Sequence, residues 1–299
     1  MPSGLALIDK PAGWTSHDVV AKLRGIAGTR KVGHAGTLDP MATGLLVIGI
    51  DDGTKLLTFI VGQDKTYEAT IRLGAATITD DAEGDYTEFG SLSGCSEERI
   101  REEIAKLTGE ILQVPSSVSA IKVDGKRAYA AVRSGDEVKL QARPVTVSEF
   151  AIVSEARLAT VDGHEYLDID ARISCSSGTY IRALARDLGA ALGSFGHLTA
   201  LRRTRIGAYQ VSDAQELEGL TRESLKITSM FESIAGFEIR ELSEQDEIDL
   251  VHGKRIVAGA ISQGDTHAIA GVRDGRVVAM LERRGQQLKS LVVWPKGDK

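Results

Sequence analysis

Asp39 lies between Leu38 and Pro40 in the run Lys31-Val32-Gly33-His34-Ala35-Gly36-Thr37-Leu38-Asp39-Pro40-Met41-Ala42-Thr43-Gly44, a turn in which nothing structural demands a carboxylate. Its three glycines supply backbone freedom and close approach, Pro40 fixes the turn, and the apolar run Leu45 to Ile50 reads as a buried strand. A reactive group is best held beside such a rigid element. With an ordinary pKa near about 3.9, the carboxylate is charged at neutral pH and needs no activating base to act as a nucleophile. The local chemistry also fits a plain turn, since Asp before Pro is a common turn starter.

Arg182 is a natural partner for that carboxylate, because its planar fork holds two oxygens and fixes their direction more tightly than a lysine can. It falls in the first turn of a helix whose apolar stripe is Ile181, Leu184, Ala185, Leu188 and Leu192. That helix follows an alternating strand, with Leu167, Ile169, Ala171, Ile173 and Cys175 against Asp168, Asp170, Arg172 and Ser174, and the turn Ser176-Ser177-Gly178. Thr66 to Leu73 alternates in the same way and puts Tyr67 on its apolar side with Ala69, Ile71 and Leu73. Thr15-Ser16-His17-Asp18 has capping-box spacing, and Val19, Val20, Leu23 and Ile26 follow on one helical face until Gly28. Ser96 caps a further helix with Ile100, Ile104 and Leu107 on its buried side. The acidic turn Asp80-Asp81-Ala82-Glu83-Gly84 lacks the ligand spacing of a calcium loop and reads as a plain loop.

The 299 residues suffice for one large domain and a small one, with the 42% hydrophobic and 26% charged content of an ordinary globular protein. No apolar run approaches the roughly 18 residues needed to span a bilayer. Residues 1–4 lead into Leu5 to Ile8 without a charged leader, so the expectation is a cytoplasmic protein with no membrane partner. Cys95 and Cys175 form no metal-binding or disulfide pattern, Cys175 reads as a small core residue, and the six histidines are scattered, so a metal-free and cofactor-free mechanism is expected. The net charge of −6 argues against nucleic acid until the local clusters are considered. Lys22, Arg24, Arg30 and Lys31 precede the Asp39 run, Arg202, Arg203 and Arg205 lie downstream, and Lys122, Lys126, Arg127, Arg133, Lys139 and Arg143 come between. Gathered by the fold, these make a basic groove on an acidic body.

The Asp39 run resembles the catalytic motif of tRNA pseudouridine synthases of the TruB type. Four further segments resemble that family in consistent order over about residues 5 to 210: residues 9–16, residues 64–67, residues 175–182 and residues 198–204. The resemblance implies isomerisation of uridine to pseudouridine at position 55, in the T loop of tRNA, with Asp39 as nucleophile on a flipped-out nucleoside. It implies that Tyr67 stacks on the target base and takes part in proton transfer, that Arg182 holds Asp39, that His34 stacks within the RNA, and that Tyr180 and Leu201 line the pocket. Lys10, Lys65 and Arg202 are further implied to bind substrate. Residues 115–144 resemble a mobile basic segment that folds over the stem-loop, with Lys122, Lys126 and Arg127 on phosphates, and Ala128 to Val132 looks helical within it. The residues leave open a non-catalytic tRNA-binding or folding factor, or a synthase acting on another RNA. An aspartyl-phosphate enzyme is disfavoured by the missing Asp-x-Asp spacing.

The expected fold is α+β, a mixed or antiparallel central sheet with flanking helices, as in pseudouridine synthases. It spans residues 1–236 and is followed at 237–299 by a small β-rich domain that resembles, more weakly, a PUA-like RNA-binding domain. The chain turns acidic and linker-like after Ser212. A helix capped by Ser243 with Asp246 and stopped at Gly253, then strands at 268–272, 277–281 and 288–294, make up the small unit. No protein partner is implied.

Overall fold

The computed structural model describes residues 2–116, 122–123, 126–127, 140–259 and 268–296. Eight strands carry the main sheet: β1 (Gly4–Lys10), β2 (Val32–Ala35), β3 (Thr43–Ile50), β4 (Lys65–Leu73), β5 (Gly109–Gln113), β6 (Arg143–Ile152), β7 (His164–Cys175) and β8 (Gly196–Ile206). Their order is β1-β3-β8-β4-β7-β6-β5, with β2 paired to β3. β3 and β8 run parallel and the other neighbours antiparallel, so the sheet is mixed, as the sequence led one to expect.

Alternation along β4 and β7 decides what each face of the sheet does. Tyr67, Ala69, Ile71 and Leu73 join Ile169, Ala171, Ile173 and Cys175 in one core under Ile100 and Ile104 of helix α3 (Glu97–Lys106) and Leu184, Ala185 and Leu188 of helix α4 (Ile181–Ala191). Burying each such aliphatic side chain contributes about 1.5–3 kcal/mol. The opposite face is polar: Arg72 grips Asp168 through two bonds of 2.7 Å, and Arg172 binds Glu149 at 2.7 Å. Helix α1 (Ser16–Ala27) covers β1 and β3 with Val19, Val20 and Leu23, and its capping box forms with both hydrogen bonds in place. A five-residue helix α2 (Leu57–Val61) leads into β4.

Strands Glu238–Glu241, Ile256–Val257, Ile269–Arg273, Arg276–Arg284 and Gln287–Val293 form a five-stranded sheet, with helix α5 (Glu244–Val251) opened by the Ser243–Asp246 capping box. Residues 212–236 are not a loose linker. Gln215–Glu216 and Thr228–Ser229 both pair with β1, and Leu217 and Leu225 enter the core beneath α1. A single apolar cluster then runs from Leu5, Leu45 and Ile206 through Ile234 and Phe237 to Val272, Met280 and Trp294, joining the two sheets. The acidic composition of the stretch hid the few apolar residues that stitch it down. Among the described residues no helix is long and apolar enough to cross a membrane.

Candidate active site

The segment from Gly36 to Ala42, between β2 and β3, has no regular structure, so its main-chain groups need partners from elsewhere. Side chains from three different elements supply them. Arg203, from β8, donates from Nη2 to the Gly36 carbonyl at 2.9 Å, from Nη1 to the Thr37 carbonyl at 3.5 Å and from Nε to the Leu45 carbonyl at 2.9 Å. Ser16, at the start of α1, grips Leu38. Lys10, at the end of β1, donates to the carbonyls of Pro11, Trp14 and Pro40. The loop closes on itself through the Ala42 amide and the Asp39 carbonyl. Gly44 shows why the motif ends on glycine: its φ is +98°, and a Cβ there would meet the Arg203 carbonyl oxygen at 2.3 Å.

Held in this way, Asp39 leaves 36% of its side chain exposed and sets Oδ2 at 3.1 Å from Arg182 Nε. The Arg182 side chain is only 7% exposed; its Nη1 also lies 3.3 Å from Asp81 Oδ2 and donates to the Thr79 carbonyl at 2.7 Å. Asp81 is buried and accepts from Thr79 Oγ1 and the Glu83 amide. Burial and the Asp81 and Asp39 charges raise the neighbouring Glu83 carboxyl, while the Met41 backbone and the Arg182 cation oppose them. Burial pushes the Asp39 carboxyl above the ordinary range; the Asp81 charge adds to that, while the cations of Arg182 and Lys10 oppose it. Tyr67 lies buried across from Arg203 on the paired strands, and burial raises its phenol while the Arg203 guanidinium holds it down. The arrangement is an accessible, basic carboxylate aimed by a guanidinium, beside a buried phenol: the equipment for a nucleophilic attack with a proton transfer nearby.

Comparison with known proteins gives this geometry a family. Residues 24–181 match the TruB family pseudouridylate synthase N-terminal domain, residues 182–238 the tRNA pseudouridylate synthase B C-terminal domain, and residues 237–295 the C-terminal domain of tRNA pseudouridine synthase II. The chain belongs to the TruB family. Relatives called tRNA pseudouridine synthase B include that of Leifsonia xyli subsp. xyli (strain CTCB07), 55% identical over 98% of this chain and 97% of the relative. That of Arthrobacter sp. (strain FB24) is 54% identical over 98% and 97%, and that of Thermobifida fusca (strain YX) 50% identical over 98% and 99%. The fold matches a chain of a Cbf5–Nop10–Gar1 complex with a TM-score of 0.67 at 23% identity, covering 97% of this chain and 84% of that one. A chain of an H/ACA RNP bound to a substrate RNA containing 2′-deoxyuridine gives 0.68 at 21% identity, over 98% and 85%.

The remaining residues expected at a TruB-type site lie in several different surroundings. Leu201 shares the core cluster of Tyr67 and Leu38. Tyr180 occupies the N-cap position of α4, two residues before Arg182, and its backbone is held on both sides by the Gln113 side-chain amide, at 2.8 and 3.1 Å. His34, on β2, stands edge-on to His17 at 5.5 Å, and burial lowers its pKa. Lys10 and Lys65 are buried, and both are lowered to about 8, chiefly by burial; Lys65 binds the carbonyls of Val61 and Gln63. Arg202 pairs with Glu68 across the strands whereas Arg203 pairs with Tyr67, so Arg202 takes the opposite face, where it grips Asp9 at 2.5 and 3.0 Å. The backbone of Lys122–Val123 pairs with Lys126–Arg127; the side chains of Lys122, Lys126 and Arg127, and Ala128 to Val132, lie outside the described residues.

Two further residues stand beside the Asp39–Arg182 pair without a role of their own in the sequence analysis. Asp81 lies in the acidic turn expected to be a plain loop, where a run of acids is a signal for a cation nearby. Arg203 belongs to a basic cluster and to the family-like segment 198–204, and the strand alternation that places Tyr67 on the apolar side is what puts Arg203 opposite it.

Proposed function

We propose that Asp39 is the nucleophile with which this TruB-family pseudouridine synthase isomerises uridine in tRNA, and that the target is the T-loop uridine at position 55. The supporting observation is the partly exposed Asp39 carboxylate, 3.1 Å from a nearly buried Arg182. Breaking the bond between the ribose carbon and base nitrogen is hard without covalent help; a carboxylate supplies it, and the base then rejoins through carbon 5 as that carbon loses its proton. Reactant and product have the same atoms, so no cofactor or metal is called for.

Arg182 keeps Asp39 ionised and aimed, and Asp81 keeps Arg182 in place. A base extruded from its loop at a cost of a few kcal/mol lies against Tyr67, Leu201 and Tyr180, with His34 taking the stacking place it leaves. Lys122, Lys126 and Arg127 contact phosphates, residues 237–299 form a small PUA-like unit that touches the same tRNA, and the enzyme works in the cytoplasm where that tRNA is found. Lys10, Lys65 and Arg202 act indirectly, by holding the loops and strands around the pocket.

Incubation with an unmodified tRNA transcript, followed by primer extension on carbodiimide-treated RNA, tests the reading. Isomerisation leaves mass unchanged, so the chemical stop is the informative signal. One stop at position 55 is expected; a stop elsewhere, or none, would overturn the target assignment.

A further inference from the structure

We infer that Ser16 is a positioning residue for the Asp39 carboxylate, an inference that rests on the reading of Asp39 as nucleophile. Ser16 is the first residue of α1, one position after the N-cap where a hydroxyl ordinarily serves the helix end. Here the helix does not use it. Thr15 is the cap, its side chain accepting the Asp18 amide while Asp18 returns a bond to the Thr15 backbone. The Ser16 side chain turns instead into the protein, is fully buried, and meets the main chain of the residue directly before Asp39. Its Oγ accepts from the Leu38 amide at 2.9 Å and donates to the Leu38 carbonyl at 3.2 Å.

One hydroxyl thus satisfies both polar groups of a single peptide residue, and the Leu38 side chain is packed into the core beside Tyr67. Leu38 is fixed through its main chain and its side chain at once. With Ala42 bonded to the Asp39 carbonyl and Lys10 to that of Pro40, the freedom left to residue 39 is that of its own side chain. Without Ser16, a buried amide and a buried carbonyl lose their partner, and the loop must shift to find another. A displacement of about 1 Å at a reacting atom costs on the order of 100-fold in rate, whereas contacts between tRNA and the rest of the surface are untouched.

The test uses the full-length protein with saturating unmodified tRNA transcript, measuring single-turnover rate and tRNA affinity separately. Ser16→Ala is expected to slow the chemical step by about 10- to 100-fold and leave tRNA affinity within about twofold. Thr15→Ala loosens the same helix end but spares the Leu38 contacts, and is expected to stay within about threefold of the wild-type rate. Where Ser16→Ala does not fold, Ser16→Cys preserves the volume with a much weaker donor and is expected to be slowed in the same sense. A folded Ser16 variant at full rate, or an equal slowing in Thr15→Ala, overturns the positioning role. Product formation by Asp39→Asn would be a different failure, that of the nucleophile reading itself.

Discussion

The loop that carries Asp39 is gripped differently on its two sides. Behind it, Lys10 and Ser16 bind main-chain atoms, and Arg203 binds main-chain carbonyls while its guanidinium also faces the Tyr67 phenol, so their hydrogen bonds act chiefly on the loop's shape. In front, Arg182 touches the carboxylates of Asp39 and Asp81, so it acts on charge and direction. Both sides use buried cations, yet the physics separates them. A cation bound to carbonyls is a desolvated charge held by dipoles, and removing it leaves unsatisfied oxygens. A cation bound to a reactive carboxylate sets how readily that carboxylate gives up its proton.

The largest effect that separates the two sides belongs to the front. Arg182→Met, measured in single turnover, is expected to lose on the order of 10²- to 10³-fold in rate, the cost of one well-placed charged donor at a reacting group. Arg203→Met should instead unfold more easily, by about 2–4 kcal/mol in urea titration, because three carbonyls lose their donor while a desolvated charge is removed. If Arg203→Met is as stable as the wild type, the back of the loop is not held as described.

A subtler effect divides the charges by sign. The Asp81 charge pushes the Asp39 carboxyl up and the Arg182 charge pulls it down. Asp81→Asn should therefore move the acid limb of the pH–rate profile to lower pH, and Arg182→Met should move it to higher pH. Shifts in one common direction would mean that the limb does not report Asp39.

The burial of Lys10 makes a test through stability. Its folded pKa of about 8 lies below its ordinary value of 10.5, so between those pH values the unfolded chain binds the extra proton. This contribution therefore makes stability rise with pH across that window, and Lys65, also lowered to about 8, acts in the same sense. Lys10→Met should show a smaller rise from pH 8 to 10.5 than the wild type. An unchanged rise would show that Lys10 is not desolvated.

The smallest effect is expected on the polar face of the sheet. Arg202→Ala breaks a partly exposed ion pair with Asp9 worth about 0–1 kcal/mol, and should leave the rate within about threefold of wild type. A loss comparable to that of Arg182→Met would place Arg202 in the reaction.

Local signals were the readable part of the sequence. The capping boxes at Thr15–Asp18 and Ser243–Asp246 formed as spaced, and the alternation of residues 66–73 and 167–175 predicted which side chains the sheet buries. The carboxylate with its guanidinium was legible through the family resemblance, which carries Asp39 and Arg182 in two separate segments, one at a turn before a strand and one at a strand-to-helix junction. What stayed hidden depended on contacts distant in sequence. Lys10, Lys65 and Arg203 look like solvated cations in a string of letters, and only the fold shows that main-chain oxygens enclose them. Asp81 looked like part of a soluble acidic turn until Arg182, 101 positions onward, came to lie against it. Residues 212–236 looked like a linker because their bonds run back to β1 at the other end of the chain.

Asp39→Asn tests the central claim most directly, because it keeps the side chain's size and removes only its charge and nucleophilicity. With saturating tRNA transcript, the rate of pseudouridine formation is predicted to fall on the order of 10⁴-fold or more, while tRNA affinity and the urea midpoint stay close to those of the wild type. Product formed by a folded Asp39→Asn protein at a rate near that of the wild type would contradict the assignment of Asp39 as nucleophile.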